Sequence, residues 1–199
     1  ISEALVLTNA DYDAAFRVLT MPRRADDFGL LLHAAHFAAW KHRHQRRKGA
    51  GRLPYINHPL DLAHALWFEG GVRDEIALAA AILHDTIEDT QTTLQELQGE
   101  FGAAVAKVVM ETSDEPTVDW RVRKKLQITR VRTASQRARL VKLADKLCNL
   151  RSLVASPPQR WSLERQREYF DWAKRVVDEL RGTNAELEAR FDQIYRQRP

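Results

Sequence analysis

Cysteine occurs once in the 199 residues, at Cys148. A single thiol excludes an intrachain disulfide framework and suits a reducing cytosol, where its role is that of a small helix-packing residue. Glycine (8) and proline (7) are few and gather at a handful of breaks. The long stretches between them carry helical patterns, with no alternating strand segments and no repeats. No apolar run approaches the roughly 18 residues of a membrane span. Glu3, Asp11 and Asp13 interrupt the start, where a signal peptide would need an unbroken apolar stretch. What remains is an all-α chain, expected to be cytoplasmic, whose 44% hydrophobic content is enough for a core.

The formal charge is +4 with a sequence pI of about 9.4, and much of the excess is local. Lys41 to Arg52 reads KHRHQRRKGAGR, a cationic patch suited to phosphate-rich ligands, nucleotide or nucleic acid. Charge alone does not choose between them.

The stretch Ala79 to Thr90, AAAILHDTIEDT, is the most informative. Ile76 to Leu83 leaves no polar stripe, the mark of a buried helix. That helix runs straight into His84 and Asp85, with Glu88 and Asp89 behind. Buried ionised carboxylates are costly without partners, and the end of a helix dipole disfavours negative charge further. A bound cation removes both objections. His84 and Asp85 point about 100° apart on a helix, but a long imidazole and a short carboxylate can still converge near a helix end. A lone His-Asp pair is more often a core histidine beside solvated acids; the buried lead-in and the acid cluster favour a site.

Helices are expected from about Asp26 to Lys48, from His58-Pro59 to Gly70-Gly71, and from the cap Asp74 through the central apolar run. Thr93 with Glu96 suggests a capping box for a short helix ending at Phe101-Gly102. Further helices follow from about Ala103 to Glu111, Asp119 to Thr133, Ser135 to Leu153, Ser162 to Arg181 and Asn184 to Gln197, with another near Asp11 to Leu19. Phe28, Leu31, Leu32, Ala35, Phe37, Ala39 and Trp40 read as one apolar face, and Leu60, Leu62, Ala63, Leu66 and Trp67 as another. Residues 1–25 read as an N-terminal extension with no assigned role, and 26–199 as the domain. His33, His36, His42, His44 and His64 read as structural or solvent-facing. Trp40, Trp67, Trp161 and Trp172 read as core.

Three segments taken together resemble a known series: Tyr55-Ile56-Asn57-His58-Pro59, then Ile82 through Thr90 (ILHDTIEDT), then Lys142 through Arg151 (KLADKLCNLR). They are similar to the HD-superfamily hydrolase domain of the RelA/SpoT alarmone enzymes. The length leaves no room for a synthetase domain, which points to the stand-alone small alarmone hydrolases, the type of the metazoan SpoT homologue. The resemblance implies a compact multi-helix HD-domain fold with a central buried metal site. It places His58, His84, Asp85 and Asp145 as ligands of a cation, usually Mn²⁺ in the family, and this mixed N/O set suits that ion. It gives Glu88 and Asp89 the positioning or activation of the attacking water, and Arg47, Lys48, Asn149 and Tyr169 contacts to the nucleotide.

Without the family, several of these positions read differently. Asp145 and Asn149 lie opposite the stripe Leu140, Leu143, Leu147 and Leu150, which periodicity would assign to a solvated face. His58 before a proline reads as a helix-start residue, and Arg47 and Lys48 as plain surface charge. Two departures from the family pattern are Arg52-Leu53-Pro54-Tyr55 where Gly-Glu-Pro-Tyr is frequent, and Glu111-Thr112-Ser113-Asp114 where the long bifunctional enzymes carry Gly-Val-Thr-Lys.

The implied activity is removal of the 3′-pyrophosphate from guanosine tetra- and pentaphosphate, giving GDP or GTP plus pyrophosphate. Rivals are an HD phosphohydrolase on another nucleotide (NADPH 2′-phosphatase or dNTPase) and an antitoxin partner of a small alarmone synthetase. A homo-oligomer is also compatible with the sequence. RNA binding finds no stacking motif to support it, and no membrane partner is expected.

Overall fold

The computed structural model describes residues 27–49, 51–114 and 117–199. Among them are nine α-helices: α1 (Asp27–Lys41), α2 (Asn57–His64), α3 (Glu75–Leu83), α4 (Thr86–Asp89), α5 (Leu94–Thr112), α6 (Trp120–Arg130), α7 (Gln136–Ala155), α8 (Leu163–Asp178) and α9 (Ala185–Tyr195). The helix expected near Asp11 to Leu19 lies outside the described residues. An isolated antiparallel bridge joins Arg46 and Pro54, and no described helix is long and apolar enough to cross a membrane.

Asp74 starts α3 as the sequence leads one to expect. Its Oδ1 accepts the backbone N–H of Ile76 at 3.0 Å and of Ala77 at 3.1 Å, filling donors that a helix start leaves unpaired. From Ala77 to Leu83 every residue of α3 is buried, because α1, α2, α5 and α7 pack around it. The other long helices open the same way: Thr93, Asp119, Ser135, Ser162 and Asn184 each accept a backbone N–H from the first turn they precede. The two helices expected either side of Gly102 abut as one bent element, α5. Gly102 supplies the bend with φ 80° and ψ 166°, a left-handed conformation that side chains resist.

Other boundaries differ. The helix expected to reach Lys48 ends at Lys41, since prolonging it would bring Lys41, Arg43, Arg46, Arg47 and Lys48 together over two turns. Residues 45–55 instead fold back on themselves: Arg47 N–H donates to the Leu53 carbonyl (2.9 Å), and Tyr55 N–H to the Gln45 carbonyl (3.1 Å). Gly49 seats this loop on the end of α7, where an added Cβ would lie 2.7 Å from the Ser156 carbonyl oxygen. After α2 the chain continues as a π-helical turn, Ala65–Glu69. Trp67 and Leu60 sit at the surface, as do Phe28 and Leu32 of α1, so the two apolar faces read from the sequence are only partly core. Phe37, Trp172 and Cys148 are buried as expected. His42, in the turn after α1, is buried as well.

Candidate metal centre and cleft

The break between α3 and α4 sets the site. His84 caps the C-terminus of α3, and Asp85 stands before the first residue of α4 with φ −96° and ψ −1°. The chain therefore leaves its helix at the HD dipeptide, which lets two neighbouring side chains turn toward one point. His58 arrives from the first turn of α2, and Asp145 from the middle of α7.

Ligand atoms of His58, His84 and Asp145 lie within 4.8 Å of one another. Asp85 completes the group, its Oδ2 2.9 Å from His84 Nε2 and 3.9 Å from His58 Nε2. Asp145 Oδ1 is 3.3 Å from His58 Nε2 and 4.0 Å from His84 Nε2. His84 Nδ1 stands 2.8 Å from the Ala81 carbonyl oxygen. A bond there places the proton on Nδ1 and leaves the Nε2 lone pair facing the group. That Nε2 is buried and makes no well-aligned hydrogen bond, even to Asp85 Oδ2 at 2.9 Å, an orphan that a cation would satisfy. Two imidazoles and two carboxylates are the donor set of a divalent metal.

Burial pushes both carboxyls up, but it is outweighed. The Lys146 ammonium and the His58 ring hold Asp145 well below the usual carboxylate range, and with no ion bound a protonated His84 does the same for Asp85. Several of these neighbours escape a sequence reading. Lys146 is buried and donates to Asp145 Oδ2 at 2.8 Å, its ammonium 4.4 Å from the centre of the Trp172 ring. Tyr55 Oη donates to Asp85 Oδ2 at 2.5 Å. Lys146 lies inside the KLADKLCNLR segment and Tyr55 inside YINHP, and nothing beyond that place in the motif marks either as a partner of an aspartate. On the other oxygen, Asn149 Nδ2 donates to Asp145 Oδ1 at 2.5 Å, and Arg47 Nη2 donates to Asn149 Oδ1 at 3.1 Å. The basic loop is thereby tied to the metal cluster through two side chains.

The two acids of α4 occupy different environments. Glu88 is half-buried; its Oε2 accepts the Asp114 N–H at 3.1 Å, and Arg123 Nη1 lies 3.3 Å from its Oε1. Burial, then the nearby Asp114 carboxylate, push Glu88 above the ordinary range. Asp89 is exposed and accepts from Gln45 Nε2 at 3.0 Å.

A cleft of about 1080 Å³ opens over the cluster. His58, Asp85, Glu88, Asp89, Asp145 and Asn149 line its inner part, with Arg47, Lys48 and Tyr169 on its walls; His84 lies buried beside the floor. Tyr169 stands between Trp161 and Trp172, ring centres 5.6 and 5.2 Å away, and burial raises its phenol to about 12. The structure thus brings all ten positions read from the sequence to one place.

The family model of the HD domain matches residues 34–171, and the chain belongs to the HD-domain family. Within it, the chain is 50% identical over 171 residues to the guanosine-3′,5′-bis(diphosphate) 3′-pyrophosphohydrolase MESH1 of Xenopus tropicalis, covering 86% of this chain and 96% of the relative. Against the Homo sapiens protein of the same name it is 50% identical over 168 residues, covering 84% and 94%. A solved structure of a metazoan ortholog of SpoT, described as hydrolysing ppGpp and playing a role in starvation responses, superposes with a TM-score of 0.83 at 43% identity, covering 89% of this chain and 98% of that one.

Proposed function

We propose that this chain is a metal-dependent 3′-pyrophosphohydrolase of guanosine 3′,5′-bis(diphosphate) and the corresponding pentaphosphate, with residues 26–199 as the hydrolase unit. The observation that carries the reading is the cluster of two histidines and two aspartates on the floor of a cleft walled by Arg47 and Lys48. The names of the MESH1 relatives support the choice of substrate.

His58, His84, Asp85 and Asp145 would hold the ion, and Mn²⁺ suits their mixed nitrogen and oxygen donors. When bound, such an ion makes a water more acidic and neutralises charge on the phosphate under attack. Glu88 is the proton acceptor in this reading. Its raised proton affinity brings it closer to working pH, where a general base is most effective. Asp89, at the rim, orients the water. Arg47 offers a planar fork and Lys48 a point charge to the departing pyrophosphate. Asn149 and Tyr169 face the nucleoside part. A cytoplasmic location belongs to the same reading, since the free thiol of Cys148 suits a reducing compartment.

The test is pyrophosphate release from ppGpp by metal-stripped protein, with and without added Mn²⁺. Release that requires Mn²⁺ and is lost in Asp85→Ala and Glu88→Ala supports the assignment. Binding of Mn²⁺ without release would move the substrate to another phosphoester, with NADPH and dNTPs tried under the same conditions. Neither binding nor release would end the hydrolase reading.

A further inference from the structure

Helix α6 has no buried residue. A helix that contributes so little to the core has small reason to keep one orientation, unless something other than apolar packing fixes it. Its side-chain ties explain where it sits. Arg123 Nη1 lies 3.3 Å from Glu88 Oε1. One turn later, Gln127 Nε2 donates a short hydrogen bond to Asp114 Oδ2. Asp114 in turn gives its backbone N–H to Glu88 Oε2 at 3.1 Å. Both carboxylate oxygens of Glu88 are therefore held by one face of α6, the first directly and the second through Asp114. From the other side, Trp172 Nε1 donates to the Lys124 carbonyl at 3.0 Å and pins the helix backbone to α8.

We propose that Arg123 is a positioning residue which, from this surface helix, aims the Glu88 carboxylate into the cleft. The inference rests on the hydrolase reading, in which Glu88 takes the proton, and adds to it a residue from outside the three family-like segments. A plain alternative is a structural surface ion pair. Pairs of that kind contribute little to stability, and nothing about them would single out a catalytic constant. Two features speak for more. Arg123 Nε and Gln127 Oε1 are buried without a hydrogen-bond partner, so both side chains accept an unsatisfied atom in order to keep their grip on Glu88 and Asp114. The carboxylate they hold also faces two others, Asp114 beside it and Asp85 at the cluster. Its cations are Arg123 from α6 and Lys142 from α7. Without Arg123, Glu88 would be pushed by its neighbours away from the geometry that proton transfer needs, where small displacements are costly.

The experiment compares Arg123→Gln, Arg123→Lys and Gln127→Ala with the unaltered chain, all loaded with Mn²⁺, using ppGpp over a range of pH. For Arg123→Gln, kcat should fall roughly tenfold to a hundredfold with KM held within about twofold, the scale of a misplaced catalytic group. The acid limb of its kcat profile should move to higher pH, since Glu88 loses a cation and keeps its anionic neighbours. Arg123→Lys should recover part of kcat, and Gln127→Ala should shift kcat in the same direction by less. Melting temperature, and its rise on adding Mn²⁺, should stay near those of the unaltered chain. A rise in KM at constant kcat would make Arg123 a substrate contact and overturn the proposal. Unchanged kinetics, or melting of both Arg123 variants well below the unaltered chain, would overturn it too. Absence of turnover by the unaltered chain would overturn the hydrolase reading and this one together, whereas an active chain indifferent to Arg123→Gln removes this inference alone.

Discussion

Lys146 is a fully enclosed ammonium one residue from Asp145, a proposed metal ligand, and its partner is that aspartate's second oxygen. Removing one member of a buried ion pair leaves the other uncompensated, which costs about 3–5 kcal/mol. Lys146→Met should therefore lower the stability of metal-free protein by roughly 3 kcal/mol. It also leaves the cluster more negative, so added Mn²⁺ should raise the melting temperature of the variant by more than that of the unaltered chain. Equal shifts in a scan with and without Mn²⁺ would show that Lys146 does not set the charge of the cluster. Residues of this kind mark how far a sequence can be read. His58, His84, Asp85 and Asp145 were legible because their order and spacing match a family. Periodicity alone placed Asp145 on a solvated face. That failed because α7 is buried nearly all round from Ala138 to Cys148, so the side opposite the leucine stripe forms the cleft floor. Lys146 was illegible for a related reason: neighbours on a helix diverge, and only a side chain long enough to curl back can meet Asp145.

Among the elements, the helices were legible at their starts, where Asp74, Thr93, Ser135, Ser162 and Asn184 announce themselves as caps. The end of α1 was not, because the basic run looks helical in composition while its fold-back depends on where Gly49 lands. That glycine gives the loop its own test. In Gly49→Ala the new methyl would meet the Ser156 carbonyl, a backbone atom that cannot swing aside. The loop must lift, carrying Arg47 and Lys48 away from the cleft and loosening the Arg47–Asn149 contact. KM for ppGpp should rise severalfold while the Mn²⁺-induced shift in melting temperature stays as it was, since the four proposed ligands lie on other elements. A KM equal to that of the unaltered chain would mean that the loop's seating has no part in holding substrate. The predicted α6 was correct in place and type, but its lack of any buried residue could not be read from its pattern, and with it the role of Arg123 was hidden.

For the molecule as a whole, stability follows pH through two groups that are both shifted downward but act in different windows. His42 is buried, and burial lowers its proton affinity against the weaker pull of Gln45. Below its ordinary pKa of about 6.5 the unfolded chain binds a proton that the folded chain resists, so stability falls as pH drops through that point. In chelator-treated protein, His42→Gln should show a shallower decline in melting temperature between about pH 6.5 and 5.5 than the unaltered chain; parallel curves would exclude His42 as the source. Asp145 acts in a lower window: burial raises it, Lys146 and His58 outweigh burial, and the net depression stabilises the fold above about pH 4 and is lost as pH falls further. One indole joins these parts. Trp172 carries the Lys146 ammonium on its face and gives its N–H to the backbone of α6. It is buried, whereas Trp120 stands half in water. The chain therefore contains its own fluorophore at the junction of the metal cluster and the surface helix, and the colour of that emission should register both the filling of the site and any displacement of α6 without an attached dye.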